Sequence, residues 1–244
     1  MQLTVLGAGT AIPMIERSPS GYLLRAGDQS AVLDMGPGTL GRLLKAGLSH
    51  KDITSVFISH LHSDHVLDVV TLLQACEPQR KQPLSFVGCR GLKDFIDQLI
   101  VLFDVAPTGF ELKISELGAE RRELQGWIVE TALTGHTENS LAFRFESEGA
   151  KLTYSGDAVE SAELAQLARD ADLFVCECSY PRGFKTTDHV TADGAGRMAA
   201  KANARRLLLT HLYPAATRVD VGAQAGEFYE KEIIVATDGT FVEF

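Results

Sequence analysis

Four candidate metal ligands fall within six consecutive residues, His60-Leu61-His62-Ser63-Asp64-His65. They follow the apolar run Val56-Phe57-Ile58, which reads as a buried strand, and precede Val66 to Leu73, which reads as a helix. The cluster is therefore expected at a strand end and on the first turn of a helix. Neutral imidazole and ionised carboxylate are the donors that suit Zn and its first-row neighbours. The chain has only 7 His in 244 residues, and an ordinary polar turn has no structural reason to collect three of them so tightly.

Three further candidates lie downstream. His136 sits in Leu133-Thr134-Gly135-His136-Thr137, Asp157 in Leu152-Thr153-Tyr154-Ser155-Gly156-Asp157, and His211 in Leu207-Leu208-Leu209-Thr210-His211-Leu212. Each ends a short apolar or β-prone run and precedes a loop. Taken alone, each reads more readily as a capping or hydrogen-bonding residue. Taken with the first cluster they complete a set of N/O donors large enough for two metals, about 3.5–4 Å apart if a carboxylate bridges them.

The order H-x-H-x-D-H, a distant His, an Asp and a final His is similar to the signature of the metallo-β-lactamase superfamily. The resemblance extends from Leu6-Gly7-Ala8-Gly9-Thr10-Ala11-Ile12-Pro13 to Thr210-His211-Leu212-Tyr213-Pro214. Within that superfamily the chain looks most like the ribonuclease Z group of phosphodiesterases, on three local features. One is the opening Gly7 to Pro13 with Arg17 four residues on. Another is Phe174-Val175-Cys176-Glu177-Cys178-Ser179-Tyr180, similar to that group's acidic segment. The third is His189-Val190-Thr191-Ala192, similar to its H-x-T motif, followed by an Ala-rich helix and the final His.

The resemblance implies a role for each position. His60, His62 and His136 match the three-His set of one metal, Asp64, His65 and His211 match the set of the second, and Asp157 matches the bridging carboxylate. Asp34, at the end of Ser30-Ala31-Val32-Leu33-Asp34, matches an acidic residue that orients a ligating His, an interaction that fixes the tautomer and raises its basicity. From the residues alone, Asp34 reads equally well as an N-cap for Leu40 to Lys45. Glu177 and His189 match a pair that helps deliver a proton to the leaving group. The implied cofactor is a pair of divalent ions, with Zn the first choice and Mn, Fe, Co or Ni also compatible with N/O donors. Such ions lower the pKa of a bridging water and take up developing negative charge, and Asp64 could orient the hydroxide as well as bind metal.

These residues must be positioned by alternating β and helical segments. Strands are expected at 2–6, 20–25, 30–34, 55–59, 83–87, 110–115, 127–133, 140–146, 151–155, 173–177, 206–211, 232–236 and 240–243. Helices are expected near 38–47, 65–76, 89–104, 160–170, 191–203 and 217–230. Glu146-Ser147-Glu148-Gly149-Ala150 reads as a hairpin turn. The order matches the α/β, four-layer αββα sandwich of the resembled superfamily, as one domain over 1–244.

Composition narrows the function classes. With 45% hydrophobic and 23% charged residues the chain can bury a substantial core. No apolar segment reaches the roughly 18 residues of a membrane span, and Met1-Gln2-Leu3-Thr4-Val5-Leu6 starts a strand at once with no signal peptide pattern, so the expectation is a cytoplasmic protein without membrane partners. The four Cys, at 76, 89, 176 and 178, lack redox or zinc spacing and read as buried and reduced. A net charge of −9 opposes general nucleic-acid binding, which needs a basic surface. No G-x-S-x-G and no P-loop occurs, and Gly7-Ala8-Gly9 alone is weak evidence for a dinucleotide site.

The reading is a binuclear metal-dependent hydrolase, first a phosphodiesterase acting on a small phosphodiester. Hydrolysis of another ester (aryl sulfate, lactone or thioester) on the same metals, or a non-catalytic sensor, are the alternatives, and fold analogy does not choose among them. tRNA is not the expected substrate. The resembled ribonuclease Z enzymes carry a basic arm between the residues matching His136 and Asp157, whereas here only 20 residues intervene. The resemblance also allows a homodimer.

Overall fold

The computed structural model describes residues 1–77, 80–124 and 126–244. One sheet is built from β1 (Gln2–Gly7), β2 (Gly21–Ala26), β3 (Gln29–Met35), β4 (Ser55–Ile58), β5 (Leu84–Gly88) and β6 (Leu112–Glu116). The other contains β7 (Arg121–Leu124), β8 (Trp127–Leu133), β9 (Leu141–Ser147), β10 (Ala150–Tyr154), β11 (Leu173–Glu177), β12 (Arg206–Thr210) and β13 (Glu232–Val235). The last strand, β14 (Phe241–Glu243), returns to the first sheet beside β1. The strand orders are 14-1-2-3-4-5-6 and 13-12-11-10-9-8-7, so among the described residues each sheet has seven strands.

The alternation of side chains along a strand explains the layering. Leu3, Val5, Tyr22, Leu24, Leu33 and Phe57 from the first sheet share a core with Trp127, Phe143, Phe145, Tyr154 and Val175 from the second. Their sequence neighbours Leu6, Leu23, Val32, Val56 and Ile58 point the other way and pack under helices. Those helices are α1 (Thr39–Lys45), α2 (Ser63–Val66), α3 (Asp68–Cys76) and α4 (Leu92–Phe103). On the far face of the second sheet, Phe174, Cys176, Leu207 and Leu209 pack with residues of α5 (Ala162–Leu167), α6 (Ala192–Lys201) and α7 (Val221–Gly226). The result is the αββα sandwich, with edge-on aromatic contacts such as Phe57 against Phe145 at 4.8 Å joining the two sheets.

Two expected helices differ, and one strand was not expected. The helix expected over 65–76 begins earlier and is interrupted at Leu67, where α2 gives way to α3. The helix expected over 217–230 contracts to α7, because Asp220 caps it by accepting from the Ala223 amide at 2.9 Å while Val219 is extended. β7 was not expected at all. Its sequence Arg121-Arg122-Glu123-Leu124 lacks apolar alternation because it is an exposed edge strand, where charge discourages edge-to-edge pairing. The expected hairpin joins β9 to β10 through Glu148 and Gly149, both at positive φ. All four cysteines are free and buried. Among the described residues no helix is long and apolar enough to cross a membrane.

Candidate metal centre

β10, β11 and β12 run parallel, and β8 runs parallel to β10 through their shared neighbour β9. The C-terminal ends of β8, β10, β11 and β12 therefore open on one edge, which places His136, Asp157, Glu177 and His211 together. In the first sheet β3 and β4 are parallel and deliver Asp34 and His60 to their own C-terminal ends. A hydrogen bond from the Leu141 amide to the Ser59 carbonyl, 2.9 Å, joins the sheets at this edge. His62 stands at the N-cap of α2, with Asp64 and His65 in its first turn.

The seven candidate donors form two groups. In the first, one donor atom from each of His60, His62, His136 and Asp157 lies within 4.8 Å of the others; in the second, the same holds for Asp64, His65 and His211. Asp157 is shared between them. Its Oδ2 stands 3.8 Å from His60 Nε2 and 3.7 Å from His136 Nε2, while its Oδ1 stands 3.3 Å from His65 Nε2 and 3.4 Å from His211 Nε2. Asp64 Oδ2 completes the second group at 3.4 Å from His211 Nε2.

The outer hydrogen bonds decide which nitrogen of each ring faces inward. Asp34 Oδ2 accepts from His65 Nδ1 at 2.8 Å, from Ser59 Oγ at 2.7 Å and from Tyr154 Oη at 2.5 Å. Its Oδ1 accepts from the Ser59 amide at 2.7 Å. Ser59 Oγ has spent its proton on Asp34, so at 3.0 Å it accepts from His60 Nδ1. By the same logic Ser179 Oγ, donating to Glu177 Oε2, accepts from His211 Nδ1 at 3.1 Å. The Asp188 carbonyl accepts from His136 Nδ1 at 2.7 Å. The rings of His60, His65, His136 and His211 are thus held through Nδ1, which turns their Nε2 atoms toward the centre.

This donor set fits divalent ions. His60 Nε2, His65 Nε2 and Asp157 Oδ1 are buried without a hydrogen-bond partner, a rarity in folded proteins. His136 Nε2 and His62 Nδ1 face each other at 3.1 Å. Two nitrogens bound to one tetrahedral Zn at about 2.0–2.1 Å would stand roughly 3.3 Å apart. Burial, reinforced by neighbouring His65, holds His60 well below its ordinary pKa, which favours the bare lone pair. Burial works against the Asp157 carboxylate, but His211, His65 and His60 outweigh it and keep it well below the usual range. For His65 the burial cost is likewise overcome by Asp157 and Asp34, which raise its pKa well above normal. That is a cation-seeking environment, and a dication at Nε2 would replace the proton.

Two site residues adopt a backbone that non-glycine residues avoid: Asp34 at φ 55° and His211 at φ 54°. Such strain costs about 1–3 kcal/mol and is held in place only by surrounding structure. Gly156, before Asp157, is also at positive φ, and a Cβ there would come within 2.7 Å of Ser59 Cβ.

Beside the centre lies a second constellation. His189 Nδ1 is 3.1 Å from Glu177 Oε1 and 3.2 Å from Ser179 Oγ. Glu177 is fully buried, and its Oε1 also accepts from the Ala158 amide at 2.6 Å. Burial opposes a charged His189 ring, but Glu177 outweighs it and the pKa rises to about 9. One atom each of Asp157, His189 and His211 lies within 4.8 Å of the others, so this pair adjoins the ligand groups.

Every residue expected at the site is therefore brought to one place, Asp34 included: it hydrogen-bonds His65, while the N-cap of α1 is Gly38. Sequence reasoning did not single out Ser59, Ser179, Tyr154 or the Asp188 carbonyl. Adjacency to His60 and to Glu177 was the available signal for the two serines. Nothing in the sequence marked Tyr154, whose partner Asp34 is 120 residues away.

The profile of the Beta-lactamase superfamily domain matches residues 31–212, which includes every one of these side chains. The chain belongs to the metallo-β-lactamase superfamily. Among its superfamily relatives, an uncharacterised protein of Mycobacterium leprae is 34% identical over 98% of this chain and 87% of its own length. Ribonuclease Z of Ignicoccus hospitalis is 30% identical over 86% of this chain and 87% of its own. Human tRNase Z, short form, superposes with a TM-score of 0.85 at 26% identity, covering 100% of this chain and 99% of that one. The metallo-β-lactamase fold protein YhfI from Bacillus subtilis gives 0.90 at 24% identity over 100% and 99%, a likeness of fold. The chain is a metallo-β-lactamase fold hydrolase related to ribonuclease Z, with His/Asp clusters suited to divalent metal.

Proposed function

We propose that the protein is a binuclear metal-dependent phosphodiesterase acting on small phosphodiesters. The observation that carries this reading is Asp157, whose two carboxylate oxygens face different sets of His nitrogens. His60, His62 and His136 would hold one ion, Asp64, His65 and His211 the other, with Asp157 between them. Zn is the first choice, and Mn, Fe, Co or Ni also suit N/O donors. When bound, such a pair supplies a water of lowered pKa and positive charge opposite the developing negative charge of the reaction.

The chain's own residues do the rest. Ser59, Ser179 and the Asp188 carbonyl fix the tautomers of His60, His211 and His136, and Asp34 fixes His65. Asp64 is held ionised against its burial by His211 and His65, so it can accept a hydrogen bond that orients an attacking water. His189 is engaged through Nδ1, which leaves Nε2 open to a leaving oxygen, and the Glu177 charge keeps the ring protonated at neutral pH. That is the arrangement of a general acid. tRNA is a poor fit: the β9–β10 hairpin fills the interval between His136 and Asp157, and the chain carries a net charge of −9.

The test is a substrate panel on the Zn- and Mn-loaded protein: nitrophenyl phosphodiester, phosphomonoester, sulfate, lactone and thioester. Phosphodiester turnover exceeding the others by at least tenfold supports the proposal. A preference for sulfate, lactone or thioester replaces it with another hydrolase, and no turnover of any substrate with both metals bound points to a sensor.

A further inference from the structure

Two tyrosines meet in the core between the sheets. Tyr22, on β2 of the first sheet, and Tyr154, at the end of β10 of the second, pack with ring centroids 4.9 Å apart and planes tilted by 52°. Both are buried, and each bonds to the sheet that the other comes from. Tyr22 Oη shares a 2.7 Å hydrogen bond with Thr210 Oγ1 on β12, and Tyr154 Oη donates to Asp34 Oδ2 on β3 at 2.5 Å. Most of this core is Leu, Val, Ala and Phe. Phenylalanine at both positions would fill the same space without the cost of burying two hydroxyls. Packing alone does not call for the phenols, so their use lies in the two bonds. Burial pushes both phenols above their ordinary pKa, so both stay protonated.

Both bonds end beside the buried ligand group. Asp34 holds His65 Nδ1 at 2.8 Å, and Thr210 directly precedes His211. Asp34 and His211 are also the two site residues with left-handed backbone, at φ 55° and 54°. Such a conformation persists only where neighbouring contacts hold it. Tyr154 pins the first strained residue directly, and Tyr22 pins the residue before the second. The ligands served come from different sheets: His65 follows β4 and His211 follows β12, with ring centroids 5.2 Å apart. Their spacing therefore depends on how the two sheets are held together at this edge.

We propose that Tyr22 and Tyr154 act as one brace across the two sheets, positioning residues that set the bite of His65 and His211 and thereby the affinity of the buried ion position. The proposal rests on the two-ion reading of the site. Neither phenol is a metal ligand in that reading. Each acts through the support of a ligand, so its effect belongs in metal affinity and ligand geometry.

The experiment loads wild type, Tyr22→Phe, Tyr154→Phe and the double variant with Zn and titrates each with a chelator. Wild type should release its two ions in separate steps. Each single variant should weaken the tighter ion by about tenfold and leave the looser one within about twofold, the low end for losing a group that supports a ligand. The double variant should lose little more than the larger single loss, because two halves of one brace do not act independently. With Co in place of Zn, the visible absorption of the tighter ion should change in both single variants. Unchanged affinity of the tighter ion in either single variant, or losses that multiply in the double, overturns the brace. Trp127→Phe is the control, since Trp127 is buried in the same core but starts β8, at the end away from the site. It should lower the melting temperature and leave the ratio of the two affinities unchanged. A ratio that falls as far as in the tyrosine variants assigns the effect to a softened core and overturns the proposal. If wild type takes up only one ion, the two-ion reading fails. The brace then stands if both single variants weaken that ion by about tenfold, and it falls if they do not.

Discussion

The two ligand groups are chemically alike and physically different. Asp64, His65 and His211 are all buried, whereas in the other group His62 is exposed and His136 half-buried. The buried group is braced by side chains. Asp34 grips His65 while accepting three more hydrogen bonds, and Ser179 grips His211 while donating to Glu177. The open group is braced more thinly: His136 leans on the backbone carbonyl of Asp188, in a segment without regular structure, and among the described residues the His62 ring has no hydrogen-bond partner but His136. One position is therefore preorganised before any ion arrives, and the other is shaped partly by a surface loop. The buried position should bind its ion more tightly, and the open one should be the face that meets substrate.

The largest effect expected is from Asp157→Ala, which removes the only carboxylate common to both groups. Metal content should fall from about two equivalents per chain to one or fewer, with turnover at background. A wild-type protein that holds one equivalent and a variant that still holds it would erase the distinction between two positions.

His189→Ala comes next, with turnover down by roughly 10²–10⁴ and metal content intact, the size expected of a general acid. The loss should shrink when the leaving group is nitrophenol, and equal losses on good and poor leaving groups remove the acid role. The pH dependence has a definite sign. The folded pKa lies above the ordinary histidine value, at about 9, so the acid form predominates below it and is lost as pH rises through it. Bound dications work against the Glu177 charge, so the alkaline limb of kcat should lie between the ordinary value and about 9. Glu177→Gln should move that limb to lower pH.

Asp34→Asn should then weaken the buried position by about 10–100-fold in metal affinity, the usual cost of losing an orienting carboxylate. Asp34→Ala goes further, stranding buried donors at about 1–3 kcal/mol each, a serious loss for a fold stabilised by about 5–15 kcal/mol. Chelator titration and thermal melts read the two effects. If the open position is the one weakened, the assignment of bracing is reversed.

The smallest effect is expected from Asp188→Ala. His136 depends on the carbonyl of that residue and not on its side chain, so the metal content should hold. Loss of an ion in this variant would mean that the carboxylate, which lies with His136 and His189 in a third cluster, does the bracing instead.

Much of this comparison is visible in the sequence and part of it is not. The His60 to His65 motif is legible because metal ligation forces unusual residue types into a short span, and a strand followed by a helix turn is legible from periodicity. The sheet partners were less legible at the edges. β7 is polar and exposed, so the pattern that reveals buried strands is missing from it. The shortened α7 and the break at Leu67 depend on capping and packing that act over one or two residues.

The sequence by itself determined which donors exist, that they sit at strand ends, and that enough of them are present for two ions. It could not order them by burial. Only the folding of two sheets against each other brings Tyr154 to Asp34 across 120 positions and Ser179 to His211 across 32. It also sets Asp157 between two rings of histidines. Those relations are long-range contacts, and a linear pattern carries no record of them. The chemistry of each ligand is written in its side chain, but its tautomer, exposure and partners belong to the edge where the strands end.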